Sequence, residues 1–229
     1  WSGATGGLLA FRARELVVVL ALRDAVSATE RDELCGALVL LFESANVAVY
    51  AVEAAIAVEV AGTLSEGTLF RANSIASKMM TCYAKRLPDG SNYLRAVLDP
   101  LIRDVCTGRY GSLEVNPDHA AAGDDPTRNM QTLIHLAHSF LNAILDALHS
   151  MPVSLQHLCA HLRACVQQRF ASETSSNAVL TAIGGFLFLR FFCPAIVSPE
   201  THGFIDEPPH RDVRRILVLV SKALQNLSN

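Results

Sequence analysis

The sequence predicts an all-α fold, a single helical domain across residues 1–229, and three observations carry that prediction. Apolar residues recur at i, i+3, i+4 and i+7 along most of the chain, and strict period-two alternation is nearly absent. Clusters of Gly, Pro, Asn and Asp separate the periodic stretches. Val17–Val19 invites a strand reading, but the apolar run Leu8–Leu22 around it is too long for one strand. Ser27 or Thr29 can cap a helix that runs through Phe42, with Glu30 and Asp32 in its first turn. Asn73 or Ser74 can start the helix carrying Ile75, Met79 and Tyr83, and Asp89-Gly90 reads as a break before Tyr93. Leu94, Val97, Leu98, Leu101, Ile102 and Val105 then form one apolar face.

The polar stretch Gly108–Asp125 reads as a surface loop, and Pro126 suits the first turn of the next helix. That helix shows Leu133, Ile134, Ala137, Phe140, Leu141, Ile144, Leu145 and Leu148 on its apolar side. After Met151-Pro152, Leu155, Leu158, Leu162, Val166 and Phe170 mark another face. Pro194 is expected to stop a helix over Ala178–Cys193, and Ser198–Pro209 to form a second loop. Val213, Ile216, Leu217, Val220, Ala223, Leu224 and Leu227 define the last helix. Short connections make antiparallel neighbours in a bundle the expectation.

Composition narrows the function. With 51% hydrophobic and 18% charged residues, the chain has ample apolar surface for a core, which excludes disorder. Net charge is −3, so a broad nucleic-acid footprint is not expected, and an anionic partner must be met by a local patch. Val47–Leu64 is the longest apolar run considered as a membrane span; Glu53 and Glu59 interrupt it, so it reads as a buried helix. Cysteines 35, 82, 106, 159, 165 and 193 contain no C-x-x-C pair, which fits a reduced, cytoplasmic setting. The chain opens on Trp1 and stops inside a helical pattern, so it is expected to be a domain of a longer protein.

Few residues offer chemistry. His157, Cys159, His161 and Cys165 have spacing that can put ligands on one helix face, but no second cluster accompanies them. They read as solvated histidines beside an inward Cys159, with no metal. No P-loop, G-x-G-x-x-G or nucleophile elbow is present, and Gly184-Gly185 reads as a place for close helix packing. Arg71 stands on the loop before a helix start, where it can project toward a partner. Arg190 is embedded in Gly185-Phe-Leu-Phe-Leu-Arg190-Phe-Phe-Cys-Pro194, apolar on every side. Such a guanidinium either holds backbone carbonyls of a nearby loop or snorkels to the surface, and physics alone does not separate the two. Arg211, Arg215 and Lys222 recur at helical spacing, with Arg214 adjacent. They form either a solvated face or a surface for an acidic partner.

Two segments together resemble a known family. Thr68-Leu-Phe70-Arg71-Ala72-Asn73-Ser74-Ile-Ala-Ser-Lys78, with Phe188-Leu-Arg190-Phe191 and Pro194-Ala-Ile-Val-Ser-Pro199, is similar to the Ras GTPase-activating domain, neurofibromin-type members above all. The similarity runs collinearly from about Glu15 to the last residue. It implies a helical domain that binds GTP-loaded Ras-type small GTPases and accelerates their hydrolysis, being itself a GTPase activator and not an enzyme. The alternative is a scaffold or effector module with the same fold that binds without stimulating.

By that resemblance Arg71 is the arginine finger, and Arg190 braces the finger loop of Phe70, Ala72, Asn73 and Ser74. Lys222 would meet the acidic switch region, with Arg211, Arg215, Gln225 and Asn229 as further GTPase-binding residues. The expected partner surface is a groove bordered by Arg71 and the Arg211–Lys222 helix. GTP and Mg²⁺ would come with the GTPase, no cofactor would be the chain's own, and the isolated domain would be monomeric. Membranes would be reached only through the partner or flanking domains. Ala72 and Val218 stand where neurofibromin-type members have glycine and lysine, and Cys193 where asparagine is commoner in the family; losing the lysine charge should weaken attraction to the partner.

Overall fold

The computed structural model describes residues 21, 26–27, 30–70, 73–119, 125–170 and 175–227. No strand occurs among them, in agreement with the all-α expectation. Val17–Val19, Thr29, Arg71, Ala72 and Asn229 lie outside the described residues. In chain order the helices are α1 (Arg31–Ser44), α2 (Ala48–Gly62), α3 (Ile75–Arg86), α4 (Pro88–Cys106), α5 (Pro126–Asp146), α6 (Val153–Arg169) and α7 (Ser175–Gly184). A π-helical stretch, Gly185–Phe192, leads into α8 (Cys193–Val197), and α9 (Arg211–Leu227) closes the described chain. The chain divides into two compact units, residues 1–87 with 153–190 and residues 88–152 with 191–229.

In the first unit α2 packs against α1, α3 and α6, and α6 packs against α7. Ala48, Ala51 and Ala55 keep the buried side of α2 thin, so its neighbours can approach closely. Cys35, Val39, Ile56, Met79, Met80, Leu158 and Leu162 fill the space between them and are fully buried. Helices α1 and α3 run parallel. Lys78 pairs with Asp32 at their N-terminal ends, and Arg86 pairs with Glu43 (2.6 Å) at their C-terminal ends.

The capping of α1 differs from expectation. Glu30 is the N-cap residue and makes no side-chain cap bond, while the Ser27 hydroxyl donates to the Glu30 carboxylate. The Val47–Leu64 run is indeed helical, and its Glu53 is buried. That carboxylate corrects the reading of His157 and His161 as merely solvated. His157 Nε2 lies 2.7 Å from Glu53 Oε1, while His161 lies 3.6 Å from the same oxygen and 3.2 Å from the Glu53 carbonyl. The i, i+4 pair on α6 thus supplies polar partners to a carboxylate that burial would otherwise penalise. Cys159 is half-buried, and its thiol is pushed up to about 11 by burial.

In the second unit α9 lies against α5, α8 and α4, and α4 against α5. Leu94, Val97, Leu98, Ile102 and Val105 are buried as the periodicity demands. Asp89-Gly90 does not break the chain. Helix α4 begins at Pro88, whose missing N–H costs nothing in a first turn, and Asp89 sits where a carboxylate favours the helix dipole. Tyr93 stacks on Phe191 (centroids 6.4 Å apart) and meets Phe192 at 6.1 Å, while its hydroxyl donates to the Ala147 carbonyl (3.3 Å).

Asp125 caps α5, accepting from the Thr127 and Arg128 amides, with Pro126 in the first turn as expected. On α5 the buried side is Leu133, Leu136, Phe140 and Ile144. Ile134, Leu145 and Leu148, expected on the core face, are exposed. Met130, Ile134, Leu141 and Leu227 line an apolar groove of about 240 Å³ between α5 and α9.

Pro194 does not stop its helix. It has no N–H to give the Arg190 carbonyl four residues earlier, and the ladder widens to the π register before it. The helix then continues to Val197. Gly185 does not mark a close approach either: a Cβ there would meet only Leu189 Cδ1, at an ordinary 3.9 Å. The helical stretch Asn177–Val197 is long and apolar enough to cross a membrane, yet half of its most apolar window is buried within the protein.

Candidate GTPase-activating site

Leu69 and Phe70 are fully buried, which anchors the chain just before residue 71. Phe70 holds φ +54°, a left-handed conformation that a bulky L-residue adopts only at a cost of roughly 1–3 kcal/mol. That backbone direction presents the Phe70 carbonyl to Arg190, whose Nη2 donates to it at 3.0 Å. Arg190 Nη1 donates to Asn73 Oδ1 at 2.9 Å. One planar guanidinium therefore grips the residues on both sides of the Arg71-Ala72 pair, the use for which its fixed fork is suited.

Arg190 is half-buried and its guanidinium is engaged by Phe70 and Asn73, so the snorkelling alternative fails. Burial pulls the guanidinium's pKa below its ordinary value, and Glu59 acts in the opposite direction. Ser74 is the N-cap of α3, accepting from the Ser77 amide (3.2 Å), while Ser77 Oγ donates back to the Ser74 carbonyl (3.0 Å). Asn73 itself is exposed. Arg31, which sequence reasoning passed over, also reaches this segment: its Nη1 donates to the Asn73 carbonyl at 2.9 Å. No local pattern marks it, since the two residues stand 42 apart.

In the second unit, α9 carries the basic residues. Lys222 and Arg211 are exposed. Arg215, placed among the partner-binding residues by the resemblance, is held within the chain. Its Nε and Nη2 donate to the two carboxylate oxygens of Glu114, each at 3.0 Å. Glu114 Oε1 also accepts from the Val115 and Asn116 amides, and the Glu114 carbonyl accepts from buried Asn129 Nδ2 (2.9 Å). One glutamate thereby ties the loop after α4 to both α5 and α9.

The Arg215 hydrogen bonds, then that of the Asn116 amide, bring the Glu114 carboxyl down to about 2. A carboxylate with a depressed folded-state pKa contributes stability that is complete above its ordinary value and vanishes as pH falls through the depressed one. Replacing Glu114 by Gln should therefore lower stability by about 1 kcal/mol at neutral pH. The difference between variant and wild type should shrink between pH 4.5 and about 2. Thermal unfolding of both proteins across that range checks this.

Arg214, adjacent, donates to the Val197 carbonyl (2.9 Å) and to Glu200 Oε1 (2.7 Å). Gln225 is half-buried, with its Nε2 3.5 Å from Ser221 Oγ. Cys193 is buried and approaches the Ser221 carbonyl (3.6 Å). Val218 lines an open recess of about 1080 Å³ with Leu113, Glu114, Arg211 and Arg215.

Comparison with known proteins gives this geometry its context. The family model described as GTPase-activator protein for Ras-like GTPase matches residues 51–125 and 119–229. The chain is 30% identical over 199 residues to the probable Ras GTPase-activating-like protein ngap of Dictyostelium discoideum, covering 87% of this chain and 22% of that protein. It is 32% identical over 222 residues to mouse RasGAP-activating-like protein 1, covering 91% of this chain and 27% of the relative. Human Ras GTPase-activating protein 2 is 30% identical over 167 residues, covering 73% and 19%. The chain thus spans about a fifth to a quarter of the length of these relatives. A model that accounts for most of the chain, and that runs through both the Phe70–Ser74 segment and its Arg190 brace, settles the family: the chain belongs to the GTPase-activator proteins for Ras-like GTPases.

Proposed function

We propose that residues 1–229 form one GTPase-activating domain that binds the GTP form of a Ras-type small GTPase and accelerates hydrolysis by inserting Arg71. The observation that supports this best is the Arg190 fork on Phe70 and Asn73, because a finger is effective only when its loop is held in place. As the γ-phosphoryl group transfers, charge builds on phosphate oxygens, and a guanidinium brought into a water-excluded site neutralises it. GTP and Mg²⁺ belong to the GTPase in this reading, and the chain contributes only the arginine and the surface that delivers it. Membership of the family of GTPase-activator proteins for Ras-like GTPases supports a Ras-type substrate. The domain acts as a monomer in the cytoplasm and meets membranes where its GTPase is anchored.

Lys222, exposed on α9, supplies attraction to the acidic switch region, with exposed Arg211 about three turns earlier on the same helix. Lys222→Ala should raise the concentration giving half-maximal stimulation about two- to five-fold, with the saturating rate unchanged. A titration of the stimulated rate against domain concentration reads both numbers.

Single-turnover GTP hydrolysis by a Ras-type GTPase, with and without the domain, tests the reading as a whole. Acceleration at saturating domain supports it. Binding of the GTP form without acceleration would make the chain a scaffold or effector module instead.

A further inference from the structure

Arg31 stands at the first position of α1, and two of its donors leave the helix. Nη1 donates to the Asn73 carbonyl at 2.9 Å, and Nη2 reaches the Val26 carbonyl at 3.3 Å. Asn73 is therefore held twice, by Arg31 on its backbone carbonyl and by Arg190 on its side-chain oxygen. The contact is not isolated. Asp32 pairs with Lys78, and Cys35 Sγ approaches the Ile75 carbonyl (3.8 Å), so the start of α1 is fastened along the start of α3.

We infer that Arg31 is a second positioning residue for the finger loop, fixing its C-terminal side at the Asn73 carbonyl as Arg190 fixes the Phe70 carbonyl and the Asn73 side-chain oxygen. The inference rests on the finger reading given above. Arg190 alone leaves the Asn73 backbone free to pivot about its gripped side chain. A hydrogen bond to the carbonyl removes that pivot and fixes the Asn73–Ser74 peptide that leads into α3. A charged donor is stronger here than a neutral one. Its separate donor to Val26 also suits a planar fork better than an ammonium.

The test uses the whole chain with Arg31→Ala, Arg31→Lys and, as a control, Glu43→Gln. Glu43→Gln breaks the pair with Arg86 at the far end of the same two helices. Amide exchange over residues 73–77 and single-turnover hydrolysis at saturating domain are both read, with thermal unfolding confirming that each variant folds. Arg31→Ala should speed exchange at 73–77 and lower the saturating rate about ten-fold, leaving the half-maximal concentration within two-fold. Arg31→Lys should fall between, and Glu43→Gln should match wild type in both.

A raised half-maximal concentration with unchanged exchange would overturn the inference and make Arg31 a partner contact. An equal rate loss in Glu43→Gln would reduce Arg31 to general stability. If wild type itself gives no stimulation, the activator reading falls, and the exchange data alone decide the clamp: unchanged exchange in Arg31→Ala overturns it.

Discussion

Replacing Arg71 by alanine is expected to abolish stimulation of GTP hydrolysis while leaving binding of the GTP form nearly intact. An arginine finger in Ras-type systems is worth about 10³–10⁵ in rate, a general value for such pairs and not one derived from this chain. That corresponds to about 4–7 kcal/mol of barrier, so the loss is far larger than any plausible effect of one exposed side chain on affinity. The split between rate and affinity is what identifies the finger. A group that acts only as charge builds in the transition state contributes little to the ground-state complex. Single-turnover rates at saturating domain, beside a direct binding titration, separate the two. Parallel loss of rate and affinity would instead make Arg71 an ordinary contact residue. Arg71→Lys should fail nearly as badly, because an ammonium cannot present two donors in a fixed plane to the phosphate oxygens.

The second large effect is expected at Arg190. Alanine there removes both donors at once, leaving the carbonyl of buried Phe70 and the Asn73 side chain without the guanidinium that joins them. Two costs follow. Leaving a buried acceptor unmet takes about 1–3 kcal/mol from stability. The left-handed Phe70 backbone, no longer held by its carbonyl, can also relax toward commoner angles. A displacement of about 1 Å at the finger can lower the rate roughly 100-fold. Arg190→Ala should therefore give a folded protein of lower thermal stability whose saturating rate has dropped by about that factor. Lysine at 190 can reach one acceptor but not both, and should recover little. A variant with the wild-type rate would detach the brace from catalysis, whatever its effect on unfolding.

The apolar faces were the most legible part of the chain. The faces on Leu94–Val105, Leu155–Phe170 and Val213–Leu227 bury most of the residues their periodicity selects, because burial repeats with the helix itself; Leu101, Phe170 and Ala223 are half-buried and Leu227 is exposed. Ile134 and Leu145 fit the same rule yet are exposed, since α5 has packed neighbours on only part of its surface. What periodicity cannot convey is which distant polar atom a side chain will meet. Arg215 finds Glu114 from 101 residues away, and His157 finds Glu53 from 104. Arg31 was hidden for the same reason, as a helix-start arginine whose partner is a backbone carbonyl and carries no side-chain signature. Arg190 was the exception. Its apolar surroundings left two readings, a held loop or a head at the surface, and the family resemblance chose the loop. Pro194 misled because its usual effect, ending a helix, was met instead by a change in helix register.

That register bears on how the segment tolerates insertions and deletions. Between Gly185 and Phe192 the backbone carries more residues per turn than an α-helix would use. Deleting one residue between Gly185 and Leu189 would let the ladder close in the ordinary way, a local gain for the backbone. Because a π turn holds about one residue more than an α turn, the closed ladder would leave Arg190 near its present phase, still turned toward Phe70 and Asn73. The wide register therefore takes up an extra residue without turning the arginine away, whereas a one-residue change in a segment that keeps the α register would swing it by roughly 100°.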